Sequence, residues 1–233
     1  MSLLDAIRTR SRLKDILEGQ PQHLGLAILL TVGVLALLQD HPHAPRLLGL
    51  TSVGWAKLSI ALALMHQVIV AFVFRMQLHR NLLTRMFGER DMVVWRAIFM
   101  PFLVARPLTV IMVGWADVPS LTGYRGIELV VGAALVALAI WTMHSVIVYF
   151  TLPRALGGDH FRDEYAAMPL VREGMFKYTD NAMYGVVFLG LWGIALMFGS
   201  WNALVLALFQ QSYIWVHMYC TEKPDMEWIY GQR

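Results

Sequence analysis

The architecture of this chain follows from one apolar stretch in its last quarter, Val186-Val-Phe-Leu-Gly-Leu-Trp-Gly-Ile-Ala-Leu-Met-Phe-Gly-Ser-Trp-Asn-Ala-Leu-Val-Leu-Ala-Leu-Phe209. Its side chains are almost entirely hydrocarbon, and Gly199-Ser-Trp-Asn202 predicts a tight turn that joins two helices into a hairpin. Polar segments flank the hairpin at residues 172–185 and 220–231. Because both segments lie at the open end of the hairpin, they predict a functional site at a membrane surface.

The rest of the chain is also strongly apolar. Hydrophobic residues make up 58% of the sequence, charged residues only 15%, and the mean hydropathy is +0.55. A bilayer core requires about 20 apolar residues per helix. The candidate membrane spans are residues 24–38, 55–78, 92–113, 126–150, 182–198 and 202–219. The sequence therefore predicts an all-α, polytopic transmembrane helical bundle with about six spans, and it excludes an ordinary soluble domain.

Basic residues are distributed unequally between the two sides of these spans. Of the 19 Lys and Arg residues, 15 lie on one side and three on the other. The basic side comprises residues 1–23, 75–96, 151–181 and 221–233. The positive-inside rule then predicts that both termini and both polar segments are cytoplasmic. The net charge of +3 needs no nucleic-acid partner, because a basic inner rim suits anionic lipid headgroups.

The third span is irregular. Pro101 and Pro107 interrupt its apolar run, so a kinked or broken helix is expected. Arg106 is a charged side chain at membrane depth, where ionisable groups are costly. We expect it toward the outer side of the span, in a structural ion pair with Glu128 or Asp117.

Polar side chains in the sixth span share one face. Gln210, Tyr213 and His217 are spaced by three and four residues, so they line up along a helix. A polar stripe cannot face lipid without large cost, so it must point into the bundle or a cavity. The fifth span carries small residues that would let the sixth approach closely: Gly185, Gly190 and Gly193.

Histidines leave a second function class open. Imidazole pairs on facing helices are ordinary axial ligands of haem, so His66, His144 and His217 allow a haem-binding electron-transfer bundle as an alternative. His144, one to two turns above the cytoplasmic end of the fourth span, could instead line the predicted site. The single cysteine, Cys220, excludes an internal disulfide bond and a cysteine-based metal cluster, and no metal site is predicted.

Two sequence motifs carry a family resemblance. Motif A, Gly174-Met-Phe-Lys-Tyr-Thr-Asp-Asn-Ala-Met-Tyr-Gly185, resembles the motif Gly-Pro-Phe-x-Tyr-x-Arg-Asn/His-Pro-Met-Tyr-x-Gly of membrane methyltransferases. Motif B, Glu222-Lys-Pro-Asp-Met-Glu-Trp-Ile-Tyr-Gly231, resembles the matching C-terminal motif of phosphatidylethanolamine N-methyltransferases. That group also includes the isoprenylcysteine carboxyl methyltransferases. The chain departs from the usual motif residues at Asp180, Ala182 and Lys223. These departures affect the identity of the acceptor more than the assignment to the family.

The resemblance implies that S-adenosylmethionine enters from the cytosol and sits between the two motifs. The candidate cofactor-binding residues are Gly174, Tyr178, Asn181, Met183, Tyr184, Gly185 and Glu222. Glu222 and His217 are the candidate catalytic residues, because either could accept the proton of the acceptor amine. Glu222 could equally hold the ammonium group of the cofactor. The candidate substrate-binding residues are Tyr213, His144 and Asp225.

The predicted function is methyl transfer from S-adenosylmethionine to phosphatidylethanolamine or its partly methylated products, with a phospholipid substrate and membrane lipids as partners. Another lipid amine or a prenylated carboxylate is the alternative acceptor. Residues 1–233 are expected to form one membrane domain, with an interfacial helix (1–20), a four-span bundle (24–150) and the methyl-donor-binding hairpin (170–231). The short loops favour a bacterial inner membrane, and the sequence leaves the oligomeric state open.

Overall fold

The computed structural model describes residues 1–121 and 123–231, and within these ranges the chain is helical without β-strands. The helices are α1 (Leu3–Arg10), α2 (Leu13–Ile16), α3 (Gln20–Leu37), α4 (Ser52–Arg80), α5 (Leu82–Phe87), α6 (Asp91–Trp115), α7 (Arg125–Ser145), α8 (Leu152–Ala155), α9 (Asp163–Ala166), α10 (Leu189–Phe198), α11 (Trp201–His217) and α12 (Lys223–Tyr230). The long helices lie side by side and form one bundle.

Helix length and composition identify the membrane-crossing elements. Four helical runs of the described chain are long and apolar enough to cross a membrane: Leu13–Leu37, Ser52–Arg80, Leu82–Trp115 and Arg125–Phe150. The shorter apolar helix Ala182–Phe198 and α11 coincide with the predicted fifth and sixth spans. The prediction of an all-α polytopic bundle is thus confirmed, whereas the number of spans and the location of the termini stay predictions. The third span is not broken, since α6 continues through both of its prolines.

Helix α11 lies at the centre of the bundle. Residues 205–207 are each at most 3% exposed, whereas Leu208 is 45% exposed, so α11 is buried over most of its surface and reaches the outside along one face. Its apolar side chains share one core with those of α3, α4, α6 and α10. The polar face of α11 must therefore find its hydrogen-bond partners on these surrounding helices.

Polar contacts tie the start of α11 to its neighbours. The Asn202 amide nitrogen donates to the Gln39 carbonyl at 2.8 Å and to Ser52 Oγ at 3.0 Å, which joins α11 to the end of α3 and the start of α4. The carboxylate of Asp117 contacts His41 Nδ1 at 2.7 Å and accepts from Ser200 Oγ at 2.5 Å. These buried polar groups satisfy one another in an apolar setting.

The ion pair expected for Arg106 is wrong. Asp117 is held as described above, and Glu128 pairs with Arg125 at 3.0 Å. Arg106 instead lies inside the bundle and donates to His66 Nδ1 and Gln210 Oε1, both at 3.4 Å. The sequence places Arg106 on α6, but the rotation of that helix aims it at α4 and α11 rather than at the outer loops.

The glycines of the fifth span also face a different helix from the one expected. A Cβ atom on Gly193 would lie 2.6 Å from the carbonyl oxygen of Gly132, and one on Gly190 would lie 2.8 Å from Ala139 Cβ. Both contacts are with α7, the fourth span, and not with α11. A Cβ atom on Gly185 would have no neighbour within 4 Å. Small residues therefore let α10 pack tightly against α7.

The first twenty residues fold onto the end of the bundle that carries motifs A and B, called here the motif end. Leu4 and Ile7 are at most 1% exposed and pack with Leu78 of α4 and Ile229 of α12. The backbone N–H of Leu4 also donates to Asp163 Oδ1 at 3.0 Å. These contacts give residues 1–20 a packed apolar face, while their interfacial role stays a prediction.

The α7–α10 contact predicts a stability effect. Replacement of Gly193 by valine should lower the free energy of unfolding by about 1–3 kcal/mol, because its Cβ would overlap a backbone carbonyl that cannot move cheaply. Gly33→Val is the matched control, since a Cβ atom on Gly33 in α3 would have no neighbour within 4 Å. Thermal unfolding in detergent should show a lower Tm for Gly193→Val than for Gly33→Val. Equal Tm values would contradict this account of the helix contact.

Candidate active site

One cluster of three side chains joins motif A to motif B. Tyr184 Oη of motif A donates a hydrogen bond to Oε2 of Glu222, the first residue of motif B. The other carboxylate oxygen of Glu222 lies 3.4 Å from Nε2 of His217. His217 is 1% exposed, whereas the Glu222 side chain is 18% exposed. The cluster thus spans the boundary between the bundle interior and its accessible motif end.

Wide helical turns produce this arrangement. Ala182–Val187, which contains Tyr184, and Met218–Glu222 are both π-helical. A π turn holds one residue more than an α turn, so it shifts the direction of the side chains that follow. Such turns occur frequently at functional sites. Here one π turn lies in motif A and the other leads into motif B, and the side chains that they carry meet.

The polar stripe of α11 is buried, and it divides into two parts. Gln210 bonds to Arg106 and, through Nε2, to Ser59 Oγ at 3.1 Å, so it belongs to the bundle interior. Tyr213 and His217 continue the stripe toward Glu222. The stripe thus leads from a structural network to the candidate site.

A histidine that sequence reasoning did not select joins this cluster. His23 Nε2 lies 3.2 Å from Tyr213 Oη, and the His23 ring lies 5.8 Å from the His217 ring between centroids. The neighbouring Gln20 donates to Thr221 Oγ1 at 3.3 Å. The signal that the sequence offered for this contact was Gly19. In the structure Gly19 has a φ of +76° and lies close to the Cys220 carbonyl, an arrangement that only glycine allows. Without a partner in view, that glycine could not be distinguished from an ordinary helix start.

The first half of motif A packs along α7. Gly174 has a φ of +58°, and a Cβ atom there would lie 2.6 Å from Ser145 Oγ, so the position requires glycine. The next backbone N–H, that of Met175, donates to Ser145 Oγ at 3.2 Å. Tyr178 is 75% exposed, with its ring 6.4 Å from that of Trp141. The structure does not bring Gly174 or Tyr178 into contact with Glu222.

The second half of motif A borders the cluster. Asn181 and Met183 are partly buried on either side of Ala182, where the π turn begins, and Tyr184 follows them. Gly185 leaves open space beside the turn. Both ring nitrogens of His217 are buried without a hydrogen-bond partner in the described part of the chain. These residues offer unused polar groups and space next to a carboxylate, which suits a charged small molecule better than a metal ion.

Two predicted substrate-binding residues lie away from the cluster. His144 is exposed on the outer face of α7. Asp225 is fully buried, with Oδ1 3.0 Å from Arg75 Nη1 and Oδ2 3.1 Å from His160 Nε2. Of the three, only Tyr213 reaches the cluster, and it does so through His23. A substrate role for any of these residues stays a prediction.

Asp225 belongs to a buried charge network that fixes motif B to the bundle. His160 stacks on Phe74 with ring centroids 4.3 Å apart and also contacts Asp159 Oδ1 at 3.0 Å. Burial by itself lowers the pKa of His160, but the carboxylates of Asp159 and Asp225 outweigh it and raise the pKa to about 10. His160 is therefore a cation at neutral pH, and together with Arg75 it neutralises the two carboxylates.

Comparisons with known proteins agree with the motifs. Residues 127–233 match the phospholipid methyltransferase family. The chain is 30% identical over 182 residues to the phosphatidylethanolamine N-methyltransferases of Arthroderma benhamiae and Arthroderma otae. It is 26% identical over 177 residues to that of Paracoccidioides brasiliensis. Each alignment covers 72% of this chain and 18% or 19% of the relative, so the chain spans about a fifth of these proteins. No solved structure matches the chain significantly.

These matches confirm the resemblance that the two motifs carry, and they favour the methyltransferase prediction over a haem-binding bundle. They correct one expectation. The relatives named above are fungal, so the comparisons give no support to a bacterial inner membrane. Loop length was the only argument for that membrane, and loop length reports compactness rather than origin.

The buried network predicts a pH-dependent stability. Because the folded-state pKa of His160 lies above the unfolded value of 6.5, its contribution is complete below pH 6.5 and is lost as the pH rises toward about 10. The Tm of the wild-type protein should therefore fall more between pH 6.5 and pH 10 than the Tm of His160→Gln. His144→Gln, a substitution at an exposed position, should keep the wild-type pH profile. Parallel profiles for wild type and His160→Gln would refute the charge assignment.

Proposed function

Because residues 127–233 match the phospholipid methyltransferase family, we propose that this chain transfers methyl groups from S-adenosylmethionine to the amine of phosphatidylethanolamine or its partly methylated products. The relatives bear the name of that activity, and they are much longer than this chain. The proposal extends the activity to the present 233 residues because the chain contains both motifs and the hairpin between them.

The observation that carries the proposal is the contact between Tyr184, Glu222 and His217. Two segments separated by a hairpin meet there through a hydrogen bond and a carboxylate–imidazole contact. A hairpin with no chemistry would need only apolar packing between its helices. It would not need a partly exposed carboxylate beside a buried imidazole that lacks hydrogen-bond partners in the described chain.

The residues around this cluster fit the methyl donor. When bound, S-adenosylmethionine supplies a methyl group on a sulfonium, which an amine displaces in line. The carboxylate of Glu222 suits its ammonium group, and the ring of Tyr184 offers a face to a cation. Gly185 leaves the space beside that ring open. Asn181 and Met183 border the same turn, so they complete the proposed donor-binding surface.

Proton removal is the chemical task that falls to the protein. A protonated amine has no free lone pair, so it must lose its proton before it attacks. Glu222 and His217 contact each other at 3.4 Å, and either can accept the proton. When His217 accepts it, the carboxylate of Glu222 stabilises the resulting imidazolium. The exposed edge of Glu222 lets the proton pass on to solvent. Holding the two reactants aligned supplies the rest of the rate enhancement.

The proposed site lies at the cytoplasmic face. Fifteen of the 19 basic residues belong to the segments that lie at the motif end or close to it, which supports this orientation by the positive-inside rule. A water-soluble methyl donor also has to reach the site from an aqueous compartment. The phospholipid acceptor comes from the membrane itself, so the two reactants arrive from different phases.

The direct test incubates the purified protein, in detergent with phosphatidylethanolamine, with methyl-labelled S-adenosylmethionine, and resolves the lipid products. Labelled mono-, di- or trimethylated lipid would establish the reaction and show how many methyl groups are added. Saturable donor binding without labelled lipid would redirect the search to other acceptors. Absence of both binding and product would refute the proposed function.

Glu222→Gln should reduce methyl transfer by about 10²–10⁴-fold, because it removes a proton acceptor while preserving shape. The matched control is Glu227→Gln, an exposed acid of the same motif. Turnover is measured with labelled donor, and folding is checked by Tm. Wild-type turnover in a folded Glu222→Gln protein would remove Glu222 from the site.

Tyr184→Ala should raise the Kd for S-adenosylmethionine by about 2- to 30-fold, the range expected for loss of a cation–π contact. Tyr184→Phe distinguishes the contribution of the ring from that of the hydroxyl, since it keeps the ring and removes the hydrogen bond to Glu222. Calorimetric titration should give Tyr184→Phe an affinity near that of wild type. If both variants bind equally weakly, the hydroxyl and not the ring is the contact.

A further inference from the structure

A groove of about 980 Å³ opens on the side of the bundle between α3 and α4. This volume lies at the upper end of the range for small-molecule sites. Its walls are apolar side chains that are more than half exposed, Leu24 and Ile28 from α3 and Val68 and Phe72 from α4. Its floor includes Tyr213 of the central helix.

The groove exists because α3 leans away from α4. Gly19, at the start of α3, allows the backbone to approach the Cys220 carbonyl, which binds this end of α3 to the segment before motif B. His23 contacts Tyr213 of α11, and Ala27 packs into the core that α11 shares. Two helices adjacent in sequence are thereby separated along the half of their length nearest the motif end.

Positive charge is concentrated at one end of the groove. Arg75, Arg80 and Arg85 line it at the motif end, and among the described residues that line it none is Asp or Glu. Arg75 is neutralised by Asp225 at 3.0 Å. Arg80 donates through Nη1 only to the backbone carbonyls of Ser11 and His79, at 3.1 and 3.3 Å. Within residues 1–121 and 123–231, the exposed side chain of Arg85 makes no hydrogen bond or ion pair.

Among the described residues, no carboxylate thus forms an ion pair with the side chain of Arg80 or Arg85. Both side chains stand where an apolar groove reaches the polar edge of the bundle. A ligand that fits both features has a long hydrocarbon part and an anionic group at one end. A glycerophospholipid has this form, and its phosphate matches the guanidinium fork of arginine.

We propose that the groove between α3 and α4 binds the acceptor phospholipid, with an acyl chain along Leu24, Ile28, Val68 and Phe72 and the phosphate at Arg80 and Arg85. The amine then lies over the groove floor beside His23 and Tyr213. This inference rests on the proposed function, and it assigns the acceptor route that the function requires.

The floor of the groove connects to the candidate active site. His23 and Tyr213 both line the groove and contact each other at 3.2 Å. The His23 ring lies 5.8 Å from that of His217, which in turn contacts Glu222. An acceptor in the groove therefore approaches the cluster from the membrane side. The methyl donor approaches the same cluster from motif A, on the opposite side of Glu222.

Photo-crosslinking tests the location of the lipid without relying on catalysis. The full chain is placed in phosphatidylcholine nanodiscs with phosphatidylethanolamine that carries a diazirine in one acyl chain, and adducts are mapped by mass spectrometry. Adducts should concentrate at the walls of the groove and decline when unlabelled phosphatidylethanolamine is added. Adducts spread over the outer faces of α6 and α7, without competition, would overturn the proposal.

Kinetics test the phosphate contact. The double variant Arg80→Gln/Arg85→Gln should raise the KM for phosphatidylethanolamine about tenfold, as expected for loss of charge-assisted hydrogen bonds. The KM for S-adenosylmethionine should not change. Arg90→Gln, an exposed arginine at the same end but outside the groove, is the control. An unchanged lipid KM in the double variant would overturn the assignment.

The two tests separate this inference from the proposed function. If the wild-type protein methylates lipid but adducts avoid the groove, the groove assignment fails and the function stands. If no methylated lipid forms while competed adducts still map to the groove, the groove assignment stands and the function fails. Val68→Trp, which fills the groove, should abolish the groove adducts, whereas Val130→Trp on the exposed face of α7 should not.

Discussion

The structure depends on one constraint: polar side chains inside a bilayer must find their partners on other helices. Helix α11 carries Asn202, Gln210, Tyr213 and His217 through an apolar bundle, so its polar face has to pack against other helices. The first three of these side chains find their partners on three helices. Asn202 meets α3 and α4, Gln210 meets α4 and α6, and Tyr213 meets α3. His217 differs from them, because the carboxylate that it contacts belongs to Glu222, which lies beyond the end of α11. These two residues belong to the candidate site.

The position of the cluster suits the proposed reaction, in which the two reactants come from different phases. His217 lies in the interior, where weak dielectric screening strengthens interactions between charges. Glu222 is one turn further on and partly exposed, so protons can leave. Tyr184 lies within one π turn and Glu222 ends the other, so these turns set the directions of the two side chains without an added loop. The site therefore needs no separate soluble domain, only two helix ends that meet.

Sequence reasoning located the helices but not the helix neighbours, and the position of the site stays a prediction. Apolar runs predicted the spans, and residue spacing predicted the buried stripe of α11, because both depend on local periodicity. The partners of Arg106, the helix that faces Gly193, and the presence of His23 depend on how each helix is rotated within the bundle. The rotation of each helix about its axis is set by packing across the whole domain, so it cannot be predicted from a local pattern in one sequence. Tyr184 and Glu222 could be predicted to share one site only because a family resemblance links motif A with motif B.

Motif B shows how environment separates two acids that the sequence presents as equivalent. Glu222 and Asp225 are three residues apart, so they begin on nearly the same face of the chain. Asp225 turns into the bundle, where Arg75 and His160 neutralise it, so its charge is used to hold motif B in place. Glu222 contacts only a phenol and an imidazole, and it keeps an accessible edge. Because Asp225 is fixed by cations and Glu222 is not, Glu222 is the one of these two acids that is left to exchange a proton or hold a charged ligand. The network around Asp225 therefore contributes to function by fixing the backbone from which Glu222 reaches the site.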